Sequence, residues 1–139
     1  MKIREFLFEQ DYEGVRELWE SSGPGIQISP SDSPAEIQKK LQRDPDLFLV
    51  TERDGRIIGT VFGGFDGRRG LVYHLAVLPG ERRSGIGRSL MVELERRLWL
   101  KGCRKYYLLV TKDNEEGLDF YDSFGAEVMD LYVLGKVIQ

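Results

Sequence analysis

The sequence predicts an α/β fold, a mixed and mostly antiparallel sheet flanked by helices. Three observations predict it. Segments of strand composition alternate with segments of helical periodicity along all 139 residues. Asp54-Gly55, set between two apolar runs, is a strong hairpin signal, so part of the sheet is antiparallel. The apolar stretch 71–77 leads at once into Arg82-Arg83-Ser84-Gly85-Ile86-Gly87 and then a long helical pattern.

The elements follow in order. Residues 2–8 read as a strand through Ile3 and Phe6-Leu7-Phe8. Residues 11–21 read as a helix, with Val15, Leu18 and Trp19 on one side and Glu13, Arg16, Glu17 and Glu20 on the other. Residues 22–33, rich in Gly, Pro and Ser, are a loop. Ser33-Pro34-Ala35-Glu36 marks a helix start with a capping box, and that helix ends near Asp44-Pro45. Strands over 47–52 and 56–65 flank the hairpin turn. A second turn at 66–70 leads into a strand over 71–78. The long helix 85–101 carries Leu90, Met91, Leu94 and Leu98 on one face and closes at Gly102. A strand over 105–111 follows, then a helix capped at Asp113-Asn114 with Glu115 and Glu116 in its first turn. Phe124-Gly125 stops that helix, and 126–137 read as a last strand.

The length fits one domain over 1–139, large enough for a real core. The net charge of −3 disfavours nucleic acid and anionic membrane surfaces as partners. Positive charge is local, at Arg82, Arg83 and Arg88 and at Arg96-Arg97. No apolar run approaches a membrane span and no signal-peptide pattern opens the chain. The single Cys103 has no disulfide partner within the chain. A cytoplasmic location is the expectation. Cys103 itself reads as a small residue in a half-buried connection.

A strand, a short loop and a helix opening on glycines make an anion cradle. The N–H groups of a first helical turn lack internal partners, and the helix dipole favours negative charge there. Gly85 and Gly87 let backbone approach a phosphate closely, and Arg82, Arg83 and Arg88 surround it. The pattern is neither a Walker loop, since no Lys follows Gly87, nor G-x-G-x-x-G, since position 90 is Leu90. Taken alone, the loop also fits a helix start that only needs small residues. Downstream, Asn114 and Tyr121 are seven residues apart, almost two turns, and share a helix face.

Together, Arg82-x-x-Gly85-x-Gly87 and the block Asn114, Tyr121, Gly125 resemble the GCN5-related N-acetyltransferases, the GNAT family. That family uses [QR]-x-x-G-x-[GA] to bind the pyrophosphate of acetyl-coenzyme A, and commonly N-x-x-A-x-x-x-Y-x-x-x-G-F in the second block. Gly117 and Ala126 depart from the latter. Gly63-Gly64-Phe65-Asp66-Gly67 and Leu134-Gly135-Lys136 look like the small YpeA-type acetyltransferases. The resemblance implies a GNAT fold with a six- to seven-stranded sheet and about four helices. It implies an acyltransferase that moves acetyl from acetyl-CoA to an amine, of a small molecule or of a protein N-terminus or lysine, by direct attack through a tetrahedral intermediate, and no metal is expected.

Matched by position, the resemblance places the acetyl oxygen at the Leu75 N–H. The pantetheine arm falls along Leu75, Ala76 and Val77, and the pyrophosphate at Arg82, Arg83, Ser84, Gly85, Ile86, Gly87 and Arg88. Asn114 and Tyr121 line the coenzyme, with the Tyr121 hydroxyl as proton donor to the departing thiolate. Without the resemblance, Tyr121 also reads as a core aromatic beside Phe120 and Phe124. The two positions where relatives carry a glutamate base are Leu71 and Leu109. The remaining proton acceptors are Tyr73, expected to share a strand face with Leu75, His74 on the opposite face, Glu52, or a water chain. The acceptor is expected near the 22–33 loop and the 66–70 turn. The active form is expected to be a monomer or homodimer. Two other readings stand beside this one, a non-catalytic coenzyme-A-binding sensor or structural module and a different phosphate-cofactor enzyme.

Overall fold

The computed structural model describes residues 2–139. Strands and helices follow the predicted order: β1 Lys2–Glu5, α1 Phe8–Glu20, α2 Pro34–Arg43, β2 Phe48–Arg53, β3 Arg56–Phe65, β4 Gly70–Val77, α3 Ile86–Leu100, β5 Tyr106–Leu108 and α4 Glu115–Ser123. The sheet order is β1-β2-β3-β4-β5. β1 to β4 pair antiparallel and β5 joins β4 in parallel, so the sheet is mixed as expected. At the hairpin, Asp54 and Gly55 have φ of 52° and 77°, the paired positive angles that match a two-residue turn to strand twist.

Both faces of the sheet are covered, which explains the continuous apolar run in β2. Leu47 and Leu49 point into a cluster with Leu90, Met91 and Leu94 of α3. Phe48 and Val50 point the other way, to Val15 and Trp19 of α1 and Ile37 of α2. α3 lies close on β3 because Gly59 has no side chain. A Cβ there would sit 2.8 Å from a methyl of Ile86.

Four expectations are corrected. The sheet has five strands among the described residues, not six or seven, because 126–137 form none. That segment has strand composition, but Val128, Leu131, Tyr132, Val133 and Leu134 are exposed and unpaired with any strand. Composition supplies a propensity, while a strand also needs a neighbour to bond with. α1 starts three residues earlier than expected because the Asp11 carboxylate reaches back to accept the Leu7 N–H at 2.8 Å. The capping box at Ser33 is half formed. Ser33 Oγ accepts the Glu36 N–H at 3.4 Å, but Glu36 pairs with Lys39 instead of turning back. A reciprocal box forms at Ser29 and Asp32. The fourth correction concerns β4 and belongs with the site.

Candidate active site

β4 carries a bulge. Thr60 pairs with Ala76 and Phe62 with Tyr73, so His74 and Leu75 together oppose Val61. His74 takes φ of +44° to make this bend. Tyr73 and His74 consequently lean to the same side, where their rings meet Phe62 at 5.1 and 5.5 Å. Leu75 packs against the cluster on the other face. Tyr73 and Leu75 therefore do not share a face, contrary to expectation, because the extra residue shifts the two-residue alternation by one.

The bulge also sets where backbone groups point. β4 and β5 pair only at Gly70, Leu71 and Val72, opposite Tyr106, Tyr107 and Leu108. Beyond Val72 the two strands part, leaving the β5 side of β4 open. The Leu78 N–H donates to Ile58 O on β3 at 2.8 Å. By alternation Ala76 faces β3 as well, and the backbone groups of Leu75 and Val77 face the open side. Arg82 Nε donates to Val77 O from that side at 3.2 Å.

The open edge runs directly to the N-terminus of α3. Gly85 stands at the N-cap with φ +86° and offers no side chain to the first-turn N–H groups. A Cβ at Gly85 would meet open space. Arg82, Arg83 and Arg88 are exposed around it, and Arg88 lies 5.1 Å over the Phe124 ring of α4. Phe120 of α4 comes within 3.6 Å of where a Gly87 Cβ would lie. α4 thus forms the second wall of the cleft. Leu75, Val77, Phe120 and Tyr121 all pack on one apolar cluster. Burial pushes the Tyr121 phenol up to about 12, so it holds its proton at neutral pH. Asn114 caps α4 by accepting the Gly117 N–H at 3.0 Å.

The predicted acceptor segments meet on the other side of β4. A pocket of about 840 Å³ is lined by Asp32 from the 22–33 loop, Arg69 and Gly70 from the 66–70 turn, Tyr73 and His74. His74 Nε2 lies 3.0 and 3.1 Å from the two oxygens of Asp32, and the imidazole edge meets Trp19 at 5.1 Å. Burial acts to raise the Asp32 pKa, yet hydrogen bonds from His74 and the Ser29 N–H hold it below the ordinary carboxylate value. Burial raises the Tyr73 phenol, which makes it a poor base near neutrality. Glu52 is not among the lining residues and bonds Arg4 at 3.2 Å on the β1 side of the sheet. Sequence reasoning missed Asp32, whose visible signal is only that of an acid in a Pro-containing loop.

Residues 12–126 match the family model described as acetyltransferase (GNAT) family. An acetyltransferase of Pectobacterium atrosepticum is 42% identical over 137 residues, covering 98% of this chain and 94% of its own length. An acetyltransferase of Yersinia enterocolitica is 39% identical with the same coverage. Among solved structures, Ard1 of Thermoplasma volcanium superposes with TM-score 0.77 at 25% identity, covering 89% of this chain and 80% of that one. The PaiA N-acetyltransferase of Thermoplasma acidophilum, in complex with coenzyme A, superposes with TM-score 0.81 at 23% identity, covering 94% and 92%.

Proposed function

Because the chain belongs to the acetyltransferase (GNAT) family, we propose that it transfers acetyl from acetyl-CoA to an amine held in the pocket beside β4. The observation that carries this reading is the unpaired edge of β4, which ends at an uncapped helix N-terminus with Arg82 and Arg88 beside it. An extended arm with an anionic end fits that edge, using backbone groups for the arm and first-turn N–H groups for the charge.

In this reading Val77 pairs with the pantetheine arm, and Arg82 to Arg88 hold the pyrophosphate. The Leu75 N–H donates to the acetyl oxygen and stabilises the charge that develops on it. The amine attacks the thioester carbon directly. Tyr121, protonated and close to the same cluster, gives its proton to the leaving sulfur. The amine must be neutral to attack. The His74–Asp32 pair, or a water it holds, is the nearest proton acceptor, since Tyr73 keeps its proton and Glu52 is elsewhere. Among the described residues no cluster of His, Cys, Asp or Glu is arranged to hold a metal ion, and none is assigned a role. No helix among them is long and apolar enough to cross a membrane.

Calorimetric titration with acetyl-CoA, ATP and NAD, followed by turnover on an amine panel, tests the proposal. Acetyl-CoA should bind alone of the three and be consumed with at least one amine. Binding without turnover on any amine would favour a coenzyme sensor.

A further inference from the structure

The pocket beside β4 is electrically lopsided. Its β4 end holds Asp32 and His74, and its outer end holds Lys40, Arg43, Asp44, Asp66 and Arg69. At the outer end, three cations face two carboxylates, and both carboxylates are already engaged. Asp44 takes Lys40 at 2.7 Å and Arg43 at 3.6 Å. Asp66 Oδ1 accepts the backbone N–H groups of Arg68 and Arg69 at 2.7 and 2.8 Å. Those bonds lower its pKa, that from Arg69 first, so it stays ionised and occupied. Arg43 also donates to Phe65 O at 2.8 Å.

Arg69 is left over. Its side chain reaches only the carbonyl of its neighbour Arg68, at 3.4 Å, and no described carboxylate lies within 4 Å of it. Its Nε is buried with no hydrogen-bond partner. A guanidinium that lines the pocket, half withdrawn from water and with no carboxylate partner, is a fork of donors suited to a planar anion, and a carboxylate supplies the matching two oxygens. The opposite end holds the His74–Asp32 pair, the proton acceptor that an attacking amine needs. The pocket is thus complementary to a molecule with an amine at one end and a carboxylate at the other.

Resting on the acetyl-transfer reading above, we propose that the acceptor is an amine that carries a carboxylate, and that Arg69 binds that carboxylate. Arg69 then sets specificity and takes no part in the chemistry. Amines that carry no carboxylate, and polyamines above all, are disfavoured because they leave Arg69 unmatched or bring a second cation toward it.

The test separates binding from transfer. N-acetylglycine, N-acetyl-β-alanine and N-acetyl-γ-aminobutyrate, which space the carboxylate differently, are titrated by NMR, each against its own carboxamide. Acetylation removes the amine, so differences in amine pKa drop out. At least one acid should bind about tenfold tighter than its amide. In Arg69→Gln that preference should fall below about twofold, and Arg69→Lys should restore part of it. Turnover on the parent amino acids, and on a dipeptide amide with aspartate or asparagine second, tells a free amino acid from an acidic peptide. If every acid and amide bind alike in the unaltered protein, the proposal is wrong whatever the variants do. If the preference is present but no amine is acetylated, the carboxylate site stands and the transferase reading fails. If amines are acetylated with no regard to a carboxylate, the reverse holds.

Discussion

His74 and Asp32 are 42 residues apart in sequence, yet the imidazole Nε2 sits within 3.1 Å of both oxygens of the carboxylate. With Nε2 donating to Asp32, the other ring nitrogen is left to accept a proton. The pairing also ties the 22–33 loop to the β4 bulge, so the residue can serve position as well as chemistry.

No single side chain is expected to be indispensable as the base. His74→Gln should leave measurable transfer, because an ordered water can deliver the proton elsewhere. The acidic limb of kcat/KM should then follow the substrate amine's own ionisation, moving when an amine of different pKa is used. A limb that stays at one pH for two amines and vanishes in the His74 variant would identify His74 as the base.

Gly87→Asp should weaken acetyl-CoA binding by more than about tenfold, or about 1.4 kcal/mol. Gly87 suits this test better than Gly85. A Cβ at Gly87 makes only ordinary contact, 3.6 Å from Phe120, whereas Gly85 has φ +86° and any side chain there is strained. Gly87→Ala is the control and should bind nearly as well as the parent. Equal affinity for the Asp variant by calorimetry, with circular dichroism unchanged, removes the cradle assignment.

Tyr121→Phe should lower kcat by about 10²-fold while leaving coenzyme affinity nearly unchanged, since it deletes a proton donor and keeps the ring. Because burial pushes this phenol up to about 12, its ionisation should produce no fall in kcat between pH 7 and about 10. Intact kcat on a competent acceptor would make Tyr121 a packing residue.

Asp11→Asn should destabilise the fold by about 2 kcal/mol, read as a shift of the urea midpoint. Asp11 is 2% exposed, takes two guanidinium bonds from Arg4 at 2.7 and 2.9 Å and holds the start of α1. Burial acts to raise its pKa, but the Arg4 and Leu7 bonds outweigh that and lower it. The folded value lies below the unfolded one, so this stabilisation is complete above about pH 4 and is lost as pH falls through the folded value. The parent should lose stability on acidification in that window, and the variant should lose less.

Local chemistry made most of the framework readable in the sequence. β3 runs over Arg56–Phe65 as the flanking turn implied, and α3 shows its buried face through Leu90, Leu94 and Leu98, because periodicity and turn residues act over a few positions. The glycines that open α3 were visible for the same reason, as was the resemblance that names the family.

The tertiary structure alone decided the rest. Nothing near His74 in sequence announces the β4 bulge, in which two residues, His74 and Leu75, stand opposite the single Val61 of β3. That extra residue turns Tyr73 and His74 onto one side and leaves Leu75 on the other. The partner of Asp32 and the idle Nε of Arg69 are likewise products of packing between distant segments. The strand composition of 126–137 finds no neighbour in the sheet. Backbone propensity is a property of a short stretch of chain, whereas strand pairing, burial of charge and the meeting of side chains depend on which segments the fold brings side by side.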